Sequence, residues 1–125
     1  MSAPTILIVE DDDDARRLYR SALSMAGFRV VEAQDGLPAL RRIDDSPPDL
    51  VVLDLGLPTV SGLTVLAEVT AQPETRRTKI LIVTGSTEQL DHLDVACILR
   101  KPVSPERLVE AVTDCLGSGA RGVES

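Results

Sequence analysis

Five side chains in this sequence are of types that handle phosphate or a metal, and each follows a short apolar run. Asp54 closes Leu50-Val51-Val52-Leu53, Glu10 and Asp11 close Ile6-Leu7-Ile8-Val9, Thr84 closes Ile80-Leu81-Ile82-Val83, and Lys101 follows Cys97-Ile98-Leu99 after one Arg. Runs this short, rich in Val and Ile and bounded by Pro or Gly, fit strands buried on both faces. In open parallel sheets, ligands gather beyond the carboxyl ends of the strands. Such a sheet would bring three carboxylates, a hydroxyl and an ammonium into one cleft. Two like charges ~4 Å apart repel by about 4 kcal/mol at an effective dielectric near 20, so the acids need a cation. Carboxylate sites with few protein ligands and several waters suit Mg²⁺. With the charge offset, one carboxylate can attack phosphorus while metal and ammonium hold the transferred oxygens. Taken singly, the same residues read as a turn former, a helix cap, a strand-end hydroxyl and a solvated cation.

The positioning elements follow from the same pattern. Asp12 or Asp13 caps a helix from Asp13 to Ala26, with Ala15, Leu18, Ala22 and Leu23 at helical spacing and Gly27 as its stop. Phe28 to Ala33 alternates as a more exposed strand. Asp35-Gly36 turns into a short helix that tolerates Pro38 in its first turn and is broken at Ser46-Pro47-Pro48. Leu63, Val65, Leu66 and Val69 mark a third helix that ends near Gln72-Pro73. Glu88 to Leu93 holds at most a short helix. Ser104 caps the last helix with Pro105 at its first position, and Leu108, Val112, Cys115 and Leu116 face inward. Residues 1–4 read as a tail, 5–116 as the domain, and the Gly- and Ser-rich stretch Gly117–Ser125 as a disordered tail. Strands alternating with helices predict an α/β sandwich around a parallel sheet, with helices on both faces.

Composition narrows the function. A chain of 125 residues is one domain, and its 43% hydrophobic content is enough for a folded core. A net charge of −7 disfavours nonspecific binding to nucleic acid or anionic membrane. The Arg pairs 16–17, 41–42 and 76–77 are scattered and read as solvated helix faces. No apolar run approaches the roughly 20 residues of a membrane span, and Met-Ser-Ala-Pro-Thr is no signal segment, so a cytoplasmic location is expected. Cys97 and Cys115 lack CxxC spacing and read as core thiols, and His92 reads as a solvated surface residue.

Four motifs, in order and each at the end of an expected strand, resemble the receiver domain of two-component response regulators. They are Ile-Leu-Ile-Val-Glu-Asp-Asp at 6–12, Pro-Asp-Leu-Val-Val-Leu-Asp-Leu-Gly-Leu-Pro at 48–58 with Ser61-Gly62, Ile-Val-Thr-Gly at 82–85, and Arg-Lys-Pro at 100–102. The resemblance spans residues 5 to about 116. It implies a flavodoxin-like (βα)5 fold with strand order 2-1-3-4-5. It implies Asp54 as phosphoacceptor, Asp11 as a direct Mg²⁺ ligand, Glu10 as a helper through water, and the Gly56 carbonyl as a further ligand. Mn²⁺ would substitute for Mg²⁺. Thr84 would hydrogen-bond one phosphoryl oxygen, Lys101 would pair with another, and Lys101–Pro102 would be a cis bond. Asp12 is a rival to Asp11, one residue out of register; Asp11 is preferred because it lies nearer the strand end. The implied partners are a sensor histidine kinase or a histidine phosphotransfer protein and a downstream protein, with a homodimer left open. The implied role is a stand-alone receiver, not an enzyme beyond its own phosphorylation and dephosphorylation.

The sequence also departs from that family. Ile98 stands where an aromatic residue usually swings inward as the Thr hydroxyl engages phosphate. The Thr84-to-Lys101 interval is short and lacks a Gly-Ala-Asp segment, so the fourth helix is expected to be shortened or irregular. Two rivals follow. A haloacid-dehalogenase-like Mg²⁺ phosphatase also phosphorylates an Asp after a buried strand, but needs a second Asp two positions on, where this chain has Gly56. A phosphorylation-independent interaction scaffold is favoured slightly by Ile98 and the short fourth helix.

Overall fold

Alternation decides which side of the sheet each strand residue faces, and here both sides are covered. The structure, a computed structural model, describes residues 3–124, with side chains through Gly117; all but the first residue of the tail expected over Gly117–Ser125 lies beyond the residues described with side chains. The elements are β1 (Thr5–Val9), α1 (Asp13–Met25), β2 (Arg29–Ala33), α2 (Gly36–Asp45), β3 (Leu50–Leu53), α3 (Gly62–Ala71), a 3-10 turn (Pro73–Thr75), β4 (Lys79–Thr84), β5 (Cys97–Arg100) and α4 (Pro105–Glu124). All five strands pair in parallel in the order β2-β1-β3-β4-β5, as the sequence predicts.

Ile6, Ile8, Leu50, Val52, Leu81 and Val83 point to one side and pack with Tyr19 and Leu23 of α1 and Leu108 and Val112 of α4. Leu7, Val9, Val51, Leu53, Ile80 and Ile82 point to the other and pack with Ile43 of α2 and Val65 and Val69 of α3. An unbroken apolar run thus serves two cores, which is why the central strands show no polar alternation. Each fully buried Leu or Ile contributes about 1.5–3 kcal/mol by leaving water, so β1, β3 and β4 form a stiff platform. Cys97 and Cys115 belong to the first of these cores, and burial pushes the Cys115 thiol up to about 11, the behaviour of a core thiol.

The cap of α1 separates the two neighbouring acids. Asp12 accepts a hydrogen bond from the Ala15 amide at 3.0 Å, which satisfies one of the orphan donors of the first turn. Gly27, with φ 98°, closes the helix in the left-handed region open to glycine.

Between β4 and β5 the short interval has a structural outcome. Residues 85–96 contain turns and bends but no helix, so the shortened fourth helix is reduced to nothing and α4 is the C-terminal helix. The segment crosses the sheet with Leu90 buried and Leu93 and Val95 partly buried. His92 sits exposed at its turn.

Candidate functional site

Three of the five chemistry-bearing residues are carried to the same sheet edge by a backbone hydrogen bond at the end of a strand, and Thr84 is the last residue of β4. The Glu10 amide donates to the Ala33 carbonyl at 3.1 Å, the Asp54 amide to Val9 at 3.0 Å, and the Lys101 amide to Thr84 at 2.8 Å. The ladders end there, and the side chains that follow are free to turn into the cleft. That cleft, about 480 Å³, is lined by Asp54, Gly56, Thr84, Ser86, Glu88 and Lys101.

Glu10, Asp11 and Asp54 bring carboxylate oxygens within 4.8 Å of one another. Glu10 and Asp54 are buried, and Asp11 is exposed. Lys101 Nζ donates to Glu10 Oε1 at 3.0 Å and to Asp54 Oδ2 at 3.3 Å. The other Asp54 oxygen accepts the Gly56 amide at 2.9 Å, and the other Glu10 oxygen accepts the Asp12 amide at 3.1 Å. Asp12 is thereby occupied as cap and as backbone donor, while Asp11 joins the carboxylate cluster. Thr84 is buried, and its Oγ1 accepts the Ser86 amide at 3.1 Å. Lys101–Pro102 is cis.

Electrostatics record the crowding. Burial pushes Glu10 above the ordinary carboxylate value, further than the bonds from Lys101 and the Asp12 amide pull it down, and the charge of Asp54 adds to the rise. Partial burial pulls Lys101 down, but the hydrogen bond to Glu10 and the charges of Asp54 and Glu10 outweigh it and hold the ammonium above its usual value. One cation is serving two buried anions. Three hard oxygen donors close together, one open to water, form a donor set that fits Mg²⁺.

Three residues at this edge go unrecognised in the sequence. Arg16 is not a solvated helix charge as its pair with Arg17 suggests. Its side chain is 12% exposed against 67% for Arg17. It donates to the Glu10 carbonyl at 2.8 Å and to Glu32 at 3.2 Å, so an ion pair to β2 and a backbone acceptor draw it inward. Asp35 Oδ1 gathers the amides of Gly36, Val60 and Thr59, which ties the loop after Asp54 to the start of α2. Arg100 donates to the carbonyls of Ser86 and Glu88.

A family model of the response regulator receiver domain matches residues 6–113. The chain belongs to this family. The polar-differentiation response regulator DivK of Brucella anthropi is 30% identical over 118 residues, which cover 90% of this chain and 96% of that protein. The chemotaxis response regulator CheY4 of Vibrio cholerae superposes with a TM-score of 0.84 at 25% identity, covering 91% of this chain and 99% of that one. A CheY-like receiver domain from Methylobacillus flagellatus gives 0.81 at 28% identity, over 91% and 99% of the two chains. As a receiver domain, this chain keeps the acidic edge and departs at the segment after β4, where no helix forms. Among the described residues no helix is long and apolar enough to cross a membrane.

Proposed function

We propose that this receiver takes a phosphoryl group on Asp54 from a phosphohistidine of a sensor kinase or phosphotransfer protein, and passes the signal on through a protein contact. The observation that carries the reading is the convergence of Glu10, Asp11 and Asp54 with Lys101 and Thr84 at one sheet edge. An Asp54 carboxylate oxygen attacks phosphorus, the phosphorus–nitrogen bond of the donor breaks, and its electron pair leaves with the imidazole. The Lys101 ammonium, 3.3 Å from Asp54, is placed to neutralise a transferred phosphoryl oxygen. The Thr84 hydroxyl faces the same cleft and supplies a hydrogen-bond donor. Mg²⁺, when bound, supplies charge neutralisation and holds phosphoryl oxygens in line. Asp11 would hold it directly with Asp54 and the Gly56 carbonyl. Both Glu10 oxygens are engaged by Lys101 and the Asp12 amide, which favours a role for Glu10 through water.

The chemistry stops at gain and loss of this one group. A Gly rather than an acid stands two residues after Asp54, so there is no carboxylic acid at that position to drive turnover on free phosphate esters. A cytoplasmic location fits a phosphohistidine donor and two cysteines that are not paired. The scaffold alternative draws on one observation: the helix of the usual output face is missing. Intact mass after incubation with acetyl phosphate, with and without Mg²⁺, separates the two. The expected result is a Mg²⁺-dependent phosphoryl adduct on the wild type that is absent from Asp54→Asn. A folded, Mg²⁺-binding wild type that gains no mass would leave the scaffold reading standing.

A further inference from the structure

Arg100 ends β5 directly beside Thr84, its partner in the β4–β5 register. Its guanidinium reaches back to the carbonyls of Ser86 and Glu88, the latter at 2.7 Å. In a helix these carbonyls would be bonded by amides four residues on. No helix forms over residues 85–96, and Arg100 supplies both donors instead. A guanidinium suits the task because its N–H groups form a rigid planar fork.

The turn so held leads straight back to the site. The Glu88 amide donates to Ser86 Oγ at 3.1 Å, and the Ser86 amide donates to Thr84 Oγ1 at 3.1 Å. The Lys101 amide holds the Thr84 carbonyl at 2.8 Å. The last residue of β5 and the one after it therefore hold Thr84 from two sides, Lys101 through its backbone and Arg100 through the turn. With one lone pair of Oγ1 taken by the Ser86 amide, the hydroxyl still has its hydrogen to donate, and Thr84 lines the cleft shared with Asp54.

We propose that Arg100 is a positioning residue for phosphoryl transfer, acting through the Ser86 turn to aim the Thr84 hydroxyl at the transferred group. The proposal rests on the reading of Asp54 as acceptor. Arg100 touches no reacting atom. Its work is to hold in place a segment that has no helix to hold it.

The test is the rate of adduct formation from phosphoramidate at saturating Mg²⁺, followed by intact mass. The proteins are wild type, Arg100→Ala, Arg100→Lys, Thr84→Ala and the Arg100→Ala/Thr84→Ala double variant. Calorimetric Mg²⁺ titration and thermal melting run alongside. Arg100→Ala should slow phosphorylation about tenfold, less than the roughly hundredfold that a 1 Å misplacement can cost, with Mg²⁺ affinity unchanged. Arg100→Lys should fall between, since an ammonium lacks the fork. In the Thr84→Ala background, losing Arg100 should cost nothing further, because its effect passes through Thr84. A wild-type rate for Arg100→Ala, or full multiplication of the two losses in the double variant, overturns the proposal. Should Arg100→Ala not fold, the same cycle built on Arg100→Lys decides. A wild type that takes no phosphoryl group removes the reading of Asp54 and this proposal with it. A phosphorylated wild type matched in rate by Arg100→Ala removes this proposal alone.

Discussion

Lys101 Nζ lies 3.0 Å from Glu10 Oε1, nearer than its 3.3 Å approach to Asp54. The cation beside Asp54 is shared with a second buried acid, so the site carries an excess of negative charge held by one ammonium. That imbalance sets the behaviour of the metal-free protein.

Removing the ammonium should expose it. Lys101→Met leaves Glu10 and Asp54 buried and facing one another. Breaking a fully buried pair costs about 3–5 kcal/mol, and the 30% exposure of the Lys101 side chain reduces this to about 2 kcal/mol. Urea unfolding in chelator should show that loss. Saturating Mg²⁺ should shrink it, because a divalent ion can neutralise the same oxygens. An equal loss in both buffers would mean that Lys101 acts through packing rather than charge.

Glu10→Gln should act in the opposite direction. The raised value of Glu10 means that the folded protein holds this proton more tightly than the unfolded chain. Stability from that source is full below the ordinary value of 4.5 and is lost as pH rises through the folded value. Gln is neutral like the protonated acid and keeps one acceptor oxygen for Lys101, giving up the weaker bond from the Asp12 amide at 3.1 Å. The metal-free variant should therefore be more stable than wild type at neutral pH, with the gap closing below pH 4.5. Mg²⁺ should stabilise the wild type more than the variant. A variant less stable than wild type at neutral pH without metal contradicts the charge argument.

Asp35 ties down the loop that follows Asp54. Its slight desolvation pushes it up, but the amides of Gly36 at 2.7 Å, Val60 at 3.3 Å and Thr59 at 3.4 Å outweigh this and hold it below its ordinary 3.8. Stability from a lowered carboxylate is present above the ordinary value and lost as pH falls through the folded one. Asp35→Asn should remove that acid dependence and speed amide exchange at Thr59 and Val60 while leaving β1 and β4 protected. Unchanged exchange at both amides would show that the loop is held by other contacts.

How far this could be read from the chain depends on the range of each interaction. Apolar runs announce buried strands, and the strand ends announce the site, because a parallel sheet puts those ends on one edge. Glu10, Asp11 and Asp54 were legible for that reason. The choice between Asp11 and Asp12 rested on nearness to the strand end, and the Ala15 cap bond supplies the physical reason. The helix-free segment was partly legible in the short interval from Thr84 to Lys101. Arg16, Asp35 and Arg100 were not. Their partners lie far along the chain, Glu32 for Arg16, Val60 for Asp35 and Ser86 for Arg100. Locally they look like a helix-face charge, a turn former and a strand-end cation. Only the register of strands and loops brings them to these partners.

Gly62 shows how tightly the backbone at Asp54 is packed. A Cβ there would run into the Asp54 carbonyl oxygen and come within 2.7 Å of Leu55 Cα. Both are backbone atoms of the acceptor strand's exit, so neither can swing aside as a side chain would. Gly62 is also the first residue of α3, whose Ser61 cap accepts the Thr64 amide at 3.2 Å, so the helix cannot retreat without losing its cap. Gly56 is nearer to the acceptor in sequence, yet a Cβ there meets only Asp54 Oδ1, at an ordinary 3.6 Å. The two glycines should therefore part company. Gly62→Ala should cost about 1–3 kcal/mol by overpacking, and should slow acetyl phosphate labelling because the strand end carrying Asp54 must shift. Gly56→Ala should stay within about 0.5 kcal/mol of wild type in stability. Parallel urea melts of the two variants compare them directly. Equal stabilities would show that α3 can move away from the strand end at no cost, and that the close approach of Gly62 does not set the position of Asp54.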